Sequence, residues 1–274
     1  MNQHILKIAI LDLYAGEENQ GMRCLKEIIE SFSQNNKIQI SLEIFEIRRT
    51  GNIPSLNFDV YISTGGPGSP LESINSDWEK NYFKWLDDIL IFNQNHSVKK
   101  NIFFICHSFQ IACRYFNVAN VIKRRSTSFG VFPVHIVNKI EHTCFAGLND
   151  PFYAVDNRDY QVITPDEEQL NLIGAKIIAI EKDRPHVPYE RAIMAIQFNE
   201  NMIGTQFHPE ADSSGMTSYL SSGEKKKMVI ENYGKEKWQS MIDQLNDPDK
   251  IMLTYSTILP NFLNQALQPI LSAN

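Results

Sequence analysis

Paired cysteines are what this sequence lacks first: its four cysteines, at 24, 106, 113 and 144, include no CxxC spacing. With no such spacing, neither a zinc site nor a disulfide framework is indicated, and reduced thiols with no bound metal are expected. No run approaches the ~20 consecutive apolar residues of a membrane span. The first residues lack the charged, apolar and small-residue succession of a secretion signal, so a cytoplasmic location away from membranes is expected. Positive charge is also short, with 26 Lys and Arg against 32 Asp and Glu and a formal net charge of −6. That balance sets up no long-range field to draw nucleic acid or an anionic membrane, which leaves a small molecule or another protein as the partner. Nucleotide signatures are missing as well: there is no GxGxxG and no Gly-Lys-Ser/Thr loop, and no cofactor is expected. No internal repeat or low-complexity tract is present.

At 274 residues and 43% hydrophobic, the chain can bury a substantial core, and one large α/β domain with an extension fits better than two independent domains. Residues 7–13 (KIAILDL) are an apolar run of strand length. Residues 20–33 follow with Met22, Leu25, Ile28, Ile29 and Phe32 at helical spacing, and residues 38–47 alternate as a second strand. Residues 59–63 give a third strand, and 77–92 a helix whose Trp78, Tyr82 and Trp85 suit a core. Near-continuous apolar strands separated by helical segments predict a mostly parallel sheet with helices on both faces, where ligands sit beyond the carboxyl ends of strands. Further strands are expected at 129–137, with Pro133 at an edge or bulge, and at 152–155, 177–180, 192–198 and 202–206, the last two joined as a hairpin. The triplet Lys123-Arg124-Arg125 reads as solvated charge, and His135 as an exposed or satisfied strand residue. Loops are expected at 213–216 and 221–227, and helices at 235–245 and 258–271 with a break at 246–249. The expected division is a domain over residues 1–210 and a helical extension over 211–274 packed on it.

Three segments at such strand ends carry the chemistry. NIFFICHSFQ (101–110) is a short apolar strand that stops at Cys106 and turns into helix-compatible sequence. A cysteine on such a turn is lifted clear of the sheet, and backbone N–H groups at the helix start face whatever binds it; both favour a thiolate and stabilise an oxyanion. Elsewhere a cysteine among apolar residues is inert packing, the reading given to Cys113. DVYISTGGPGSP (59–70) is a strand ending in a turn whose glycines let a ligand approach main-chain N–H groups closely. MIGTQFHPE (202–210) is a strand ending in His208, Pro209 and Glu210. Pro209 fixes the backbone between base and acid, so one imidazole nitrogen can face Cys106 while Glu210 accepts from the other and sets the tautomer. Cys106, His208 and Glu210 are the expected catalytic set.

In this order and spacing the three segments resemble the class I glutamine amidotransferase family, the Cys-His-Glu glutaminase domains attached to or associated with many biosynthetic synthetases. The resemblance spans most of residues 5–210, and QFHPE (206–210) is its most specific piece. It implies a flavodoxin-like fold with a nucleophile elbow at Cys106, an oxyanion hole using Gly65 and Gly66, and His107 and Gln110 beside the substrate. It further implies release of ammonia from glutamine through a γ-glutamyl thioester, for use by a separate synthetase. Hydrolysis of other γ-glutamyl amides at the same site is the alternative, and it calls for a wider cleft. Phe104 and Ser108 stand where members usually have glycine, and Asp156-Asn157-Arg158 stands where a serine–histidine pair often lies near the substrate. Packing under the elbow and the shape of the pocket are therefore expected to differ, and a catalytically weak binding or regulatory role is the reading these departures favour.

Overall fold

The computed structural model describes residues 5–137, 144–185, 188–245, 247 and 250–272. Its first strand, β1 (Ile5–Asp12), is a largely buried apolar run, and α1 (Gln20–Asn36) follows with Cys24, Leu25, Ile28, Ile29 and Phe32 on one buried face. Asn19 caps that helix by accepting the Met22 N–H, and Lys37 ends it in the left-handed region. The alternation continues through β2 (Gln39–Glu46), the one-turn α2 (Ile47–Thr50), β3 (Val60–Ser63), α3 (Asp77–Asn95), β4 (Asn101–Ile105) and α4 (His107–Tyr115). Strands then dominate: β5 (Ala119–Ile136), β6 (Phe152–Pro165), a short α5 (Glu167–Ile173), β7 (Lys176–Glu181), β8 (Ile193–Asn199) and β9 (Met202–Thr205). Helices α6 (Ser213–Ser221), α7 (Gly223–Tyr233), α8 (Lys235–Leu245) and α9 (Ile251–Ser272) follow. Among the described residues, no helix is long and apolar enough to cross a membrane.

The nine strands form one sheet in the order β2-β1-β3-β4-β9-β8-β7-β5-β6. Pairings from β2 to β9 are parallel, and those from β9 to β6 antiparallel. The α/β fold read from the sequence is thus present, with its parallel half carrying the elbow and a hairpin-built half extending it. Helices cover both faces. On one, α1 and α9 pack against Leu6, Ile8, Ile10, Val60, Ile62, Phe103 and Ile105. On the other, α3 and α4 pack against Leu11, Tyr61, Ile102 and Phe104. Alternate residues of a strand point to opposite faces, so these apolar runs feed two cores at once, and each fully buried Leu, Ile or Phe contributes about 1.5–3 kcal/mol.

Several local expectations change. The segments read as loops at 213–216 and 221–227 are helical, forming α6 and α7 around the single extended residue Ser222. Asp212 caps α6 through the Gly215 N–H, and Leu220, Val229, Met241 and Leu245 pack with Phe129, Val131 and Val155. Tertiary burial thus overrides the weak helical propensity of these serine- and glycine-containing stretches. Helix α9 begins at Ile251, before the expected 258, and of the break at 246–249 only residue 247 lies within the described residues. Strand β5 starts ten residues before the expected 129, at Ala119, and lies between β6 and β7 rather than at an edge. Pairing with β7 begins only at Val134, so Pro133 withholds no donor from that ladder. Arg124, read as solvated charge, bonds Gln161 at 2.8 Å and Glu181 at 3.3 Å. His135 is a satisfied strand residue, its Nδ1 3.5 Å from Asp150.

Phe104, placed just before the elbow, is fully buried and meets Phe198 edge-on at 5.8 Å between ring centroids. Room for it comes from the neighbouring strand. Gly204 of β9 pairs directly with Phe104, and a Cβ there would lie 2.7 Å from the Phe109 ring and 3.1 Å from the Phe104 Cβ. Gly204→Ala is therefore expected to lower the unfolding free energy by about 1–3 kcal/mol, as overpacked cores do. Urea denaturation checks this, and an unchanged midpoint would show that the two rings can yield.

Candidate active site

Strand β4 is wholly buried, and the chain leaves it through Cys106 at φ 49° and ψ −97°, directly before α4. That is a backbone region non-glycine residues avoid, held at a cost of about 1–3 kcal/mol because its surroundings over-determine it. Cys106 N–H donates to Thr205 O at 2.7 Å, tying the turn to β9. The Ser108 hydroxyl accepts the Ile105 N–H at 2.8 Å and donates to Ser63 O at 2.7 Å, so it links β4, α4 and β3. The hydroxyl thus adds bonds at a position where the sequence resemblance calls for glycine.

Because β9 lies beside β4 in parallel register, with Ile105 opposite Thr205, the segment leaving β9 arrives next to the elbow. His208 is held there by its N–H to Val155 O at 2.9 Å, and its Nδ1 lies 2.8 Å from Glu210 Oε1. A carboxylate only accepts, so Nδ1 carries the proton and Nε2 is left for Cys106. Burial pushes the His208 pKa down, but the charges of Glu210 and Cys106 and hydrogen bonds to both prevail and hold it well above the usual histidine value. Gly65 closes the other side: a Cβ there would lie 3.0 Å from His208 Cε1 and 3.6 Å from Cys106 Cβ. Only glycine lets the main chain come so near both side chains. Gly66 packs instead on the end of β1, where a Cβ would meet Leu13 O at 2.4 Å.

The expected residues thus converge in part. Cys106, His208, Glu210 and Gly65 meet at one point. Gln110 sits one shell back, donating to Gln206 Oε1 at 2.9 Å, while Gln206 Nε2 lies 3.7 Å from Cys106 Sγ. The side chain of His107, expected beside the substrate, is 2% exposed and does not line the adjoining cleft. Burial, then the charges of Arg48 and Arg114, lower its pKa to about 3, so it is neutral. Those two arginines fix the glycine-rich turn from outside. Arg48 donates to Pro67 O at 2.7 Å and to Leu13 O at 3.2 Å, and Arg114 donates to Pro70 O at 2.8 Å while pairing with buried Glu79 at 2.7 and 3.0 Å.

Two features, Tyr14 and a cleft, went unread in the sequence, whereas Asn157 belongs to the segment expected near the substrate. Tyr14 follows β1 at the carboxyl end of the sheet, and burial, then the charges of Glu210 and Cys106, raise its pKa well above the usual value. Its position beyond a strand end was the available signal. Asn157 presents its carbonyl oxygen 3.9 Å from Cys106 Sγ. A cleft of about 830 Å³ also opens at the site, bounded by the β1–α1 turn, α6, Phe129, Asn157, His208 and Glu210. Cys106, 6% exposed, is not itself part of the lining but sits behind Asn157, whose carbonyl oxygen is 3.9 Å from its sulfur. Of the 156–158 segment, only Asn157 reaches the cleft. Asp156 and Arg158 point the other way and are buried, Arg158 Nε 3.0 Å from both Asp156 oxygens, with Glu181 3.2 Å from Arg158.

Fold and sequence together place the chain in one family: it belongs to the Glutamine amidotransferase class-I family, which matches residues 24–225. The match runs past residue 210 and takes in α6. No curated protein sequence matches the chain. Among solved structures, a glutamine amidotransferase from Thermotoga maritima is similar at 13% identity and a TM-score of 0.67, over 97% of this chain and 99% of that one. A glutamine amido transferase from Methylobacillus flagellatus is similar at 13% identity and 0.64, over 96% and 94%. The glutaminase domain of Trypanosoma brucei CTPS with bound acivicin follows at 15% identity and 0.60, over 96% and 94%. These identities speak to the fold.

Proposed function

We propose that the protein is a hydrolase of the side-chain amide of glutamine or of another γ-glutamyl compound. Cys106, His208 and Glu210 are the catalytic residues of this reading. The observation that carries it is the strained Cys106 backbone at a strand-to-helix turn, beside a histidine whose tautomer an acid fixes at 2.8 Å. His208 takes the Cys106 proton, and the sulfur adds to the γ-carbonyl carbon. Main-chain N–H groups of the Gly65–Gly66 turn and of His107 receive the oxyanion. Collapse breaks the C–N bond, and His208 protonates the departing ammonia or amine. Water, losing its proton to His208, then cleaves the thioester to glutamate and restores the thiol.

The likeness to a glutaminase domain supports a further element of the proposal, that ammonia serves a separate synthetase. The low exposure of Cys106 fits slow turnover of free glutamine by the isolated chain. Helix α6 lines the cleft, so the segment after residue 210 serves the site rather than merely covering the core.

The test combines two measurements on the purified full chain. Glutamine and γ-glutamyl amides should each release glutamate, and a glutamine-like electrophile should label Cys106 alone. Cys113 and Cys144 lie away from the cleft, Cys24 lines it, and burial raises all three thiol pKa values, that of Cys24 to about 12. Equal labelling of all four, or glutamate release that persists after Cys106 is alkylated, would sink the proposal.

A further inference from the structure

Glutamine leaves ammonia behind, and ammonia needs almost no space. The cleft beside His208 holds about 830 Å³, in the range of sites that enclose a whole small molecule. Its charge is one-sided. Five carboxylates line it, from Asp12, Glu17, Glu18, Glu210 and Asp212, and among the described residues no lysine or arginine does. Three of these are engaged: Asp12 by the Tyr14 N–H at 2.7 Å, Glu210 by His208, and Asp212 by Arg23 at 2.7 Å. Glu17 and Glu18, on the exposed β1–α1 turn, make no ion pair among the described residues, although Glu17 lies near enough to Arg48 for the two charges to interact. At the inner end, Glu210 is 1% exposed and its Oε2 is buried with no hydrogen-bond partner, so a donor is wanted from whatever enters. Phe129, Met216 and Tyr219 supply an apolar and aromatic wall.

Resting on the hydrolase reading above, we infer that the substrates are γ-glutamyl amides whose leaving amine carries a positive charge on an apolar arm. The glutamyl carbonyl reaches Cys106, the arm lies along Phe129, Met216 and Tyr219, and its cation faces Glu17 and Glu18. The bond broken is the γ-glutamyl C–N bond. The amine departs with the proton held by His208, and water completes the balance to give glutamate. A negatively charged arm would meet a cleft lined by five carboxylates and no lysine or arginine among the described residues, and be disfavoured.

The test compares kcat/KM for glutamate release from L-glutamine, γ-glutamyl cadaverine, γ-glutamyl pentylamine and γ-glutamyl ε-aminocaproate, which carry no arm, a cationic, a neutral and an anionic arm. The cationic compound should exceed the anionic one by about tenfold or more at low salt, and this margin should narrow as salt rises. The double variant E17Q/E18Q should lower turnover of the cationic compound about tenfold more than that of the neutral one. An anionic arm handled as well as the cationic, or a double variant that lowers all compounds alike, overturns the inference. Glutamine outperforming every amide also overturns it while leaving the hydrolase reading intact. Absence of glutamate from any compound, with Cys106 unreactive toward a glutamine-like electrophile, takes down both.

Discussion

Cys106→Ala is expected to leave the chain folded and to cut glutamate release by on the order of 10⁴ or more, as loss of a triad nucleophile does. No other thiol is placed to substitute: Cys113 and Cys144 lie away from the cleft, and the thiol pKa of Cys24, which does line it, is pushed up to about 12 by burial. Alanine keeps the backbone strain at φ 49°, since any Cβ is disfavoured there. Cys106→Gly relieves that strain, so it should be equally inactive yet more stable than Cys106→Ala by about 1 kcal/mol or more. Paired measurements of glutamate release and urea midpoint separate the two effects. Turnover of either variant within tenfold of the parent would place the chemistry elsewhere.

His208→Ala should remove on the order of 10³ or more in kcat, and Glu210→Gln clearly less, because one handles protons and the other orients it. The two variants also differ in pH behaviour. The Glu210 charge helps hold the His208 pKa above the ordinary histidine value, so Glu210→Gln should move the alkaline limb of kcat/KM to lower pH. Stability follows the same sign. A histidine whose folded pKa is raised contributes in full below its unfolded value of about 6.5, and that contribution fades as pH rises through the folded value. The stability lost in Glu210→Gln should therefore be larger at pH near 6 than in alkaline solution. Equal loss of kcat in both variants with unmoved pH limbs would mean that Glu210 acts as more than an orienter.

The convergence of Cys106, His208 and Glu210 was legible because the surroundings of each are local. A buried run halting at Cys106, and a proline between His208 and Glu210, fix geometry within a few residues of each side chain. The parallel half of the sheet was legible for the same reason, since both faces of those strands are buried and read as unbroken apolar runs. Other features depended on contacts that sequence spacing does not display. Arg124 reads as surface charge until β7 brings Glu181 beside it, and His107, expected beside the substrate, is instead buried once α4 packs in place. The serine-rich stretches after Asp212 lack the apolar stripe of an independent helix and become helical where β5 and β6 offer a surface. Asp156 and Arg158 sit one residue either side of Asn157, and the two-residue period of a strand sends them away from the cleft that Asn157 faces.

The pairing of β4 with β9 has a kinetic side. Cys106 and Gln206 are 100 positions apart, and every segment between them must be placed before they meet. Loop closure of that length is slow, and nothing near the elbow rewards it until β9 docks. A partly made chain that has finished β4 and α4 therefore carries an ordinary thiol with no base beside it. On the proposed function, reactivity is expected only with the last strand of the sheet, so return of Cys106 labelling on refolding should report completion of the whole topology, not local order at the turn.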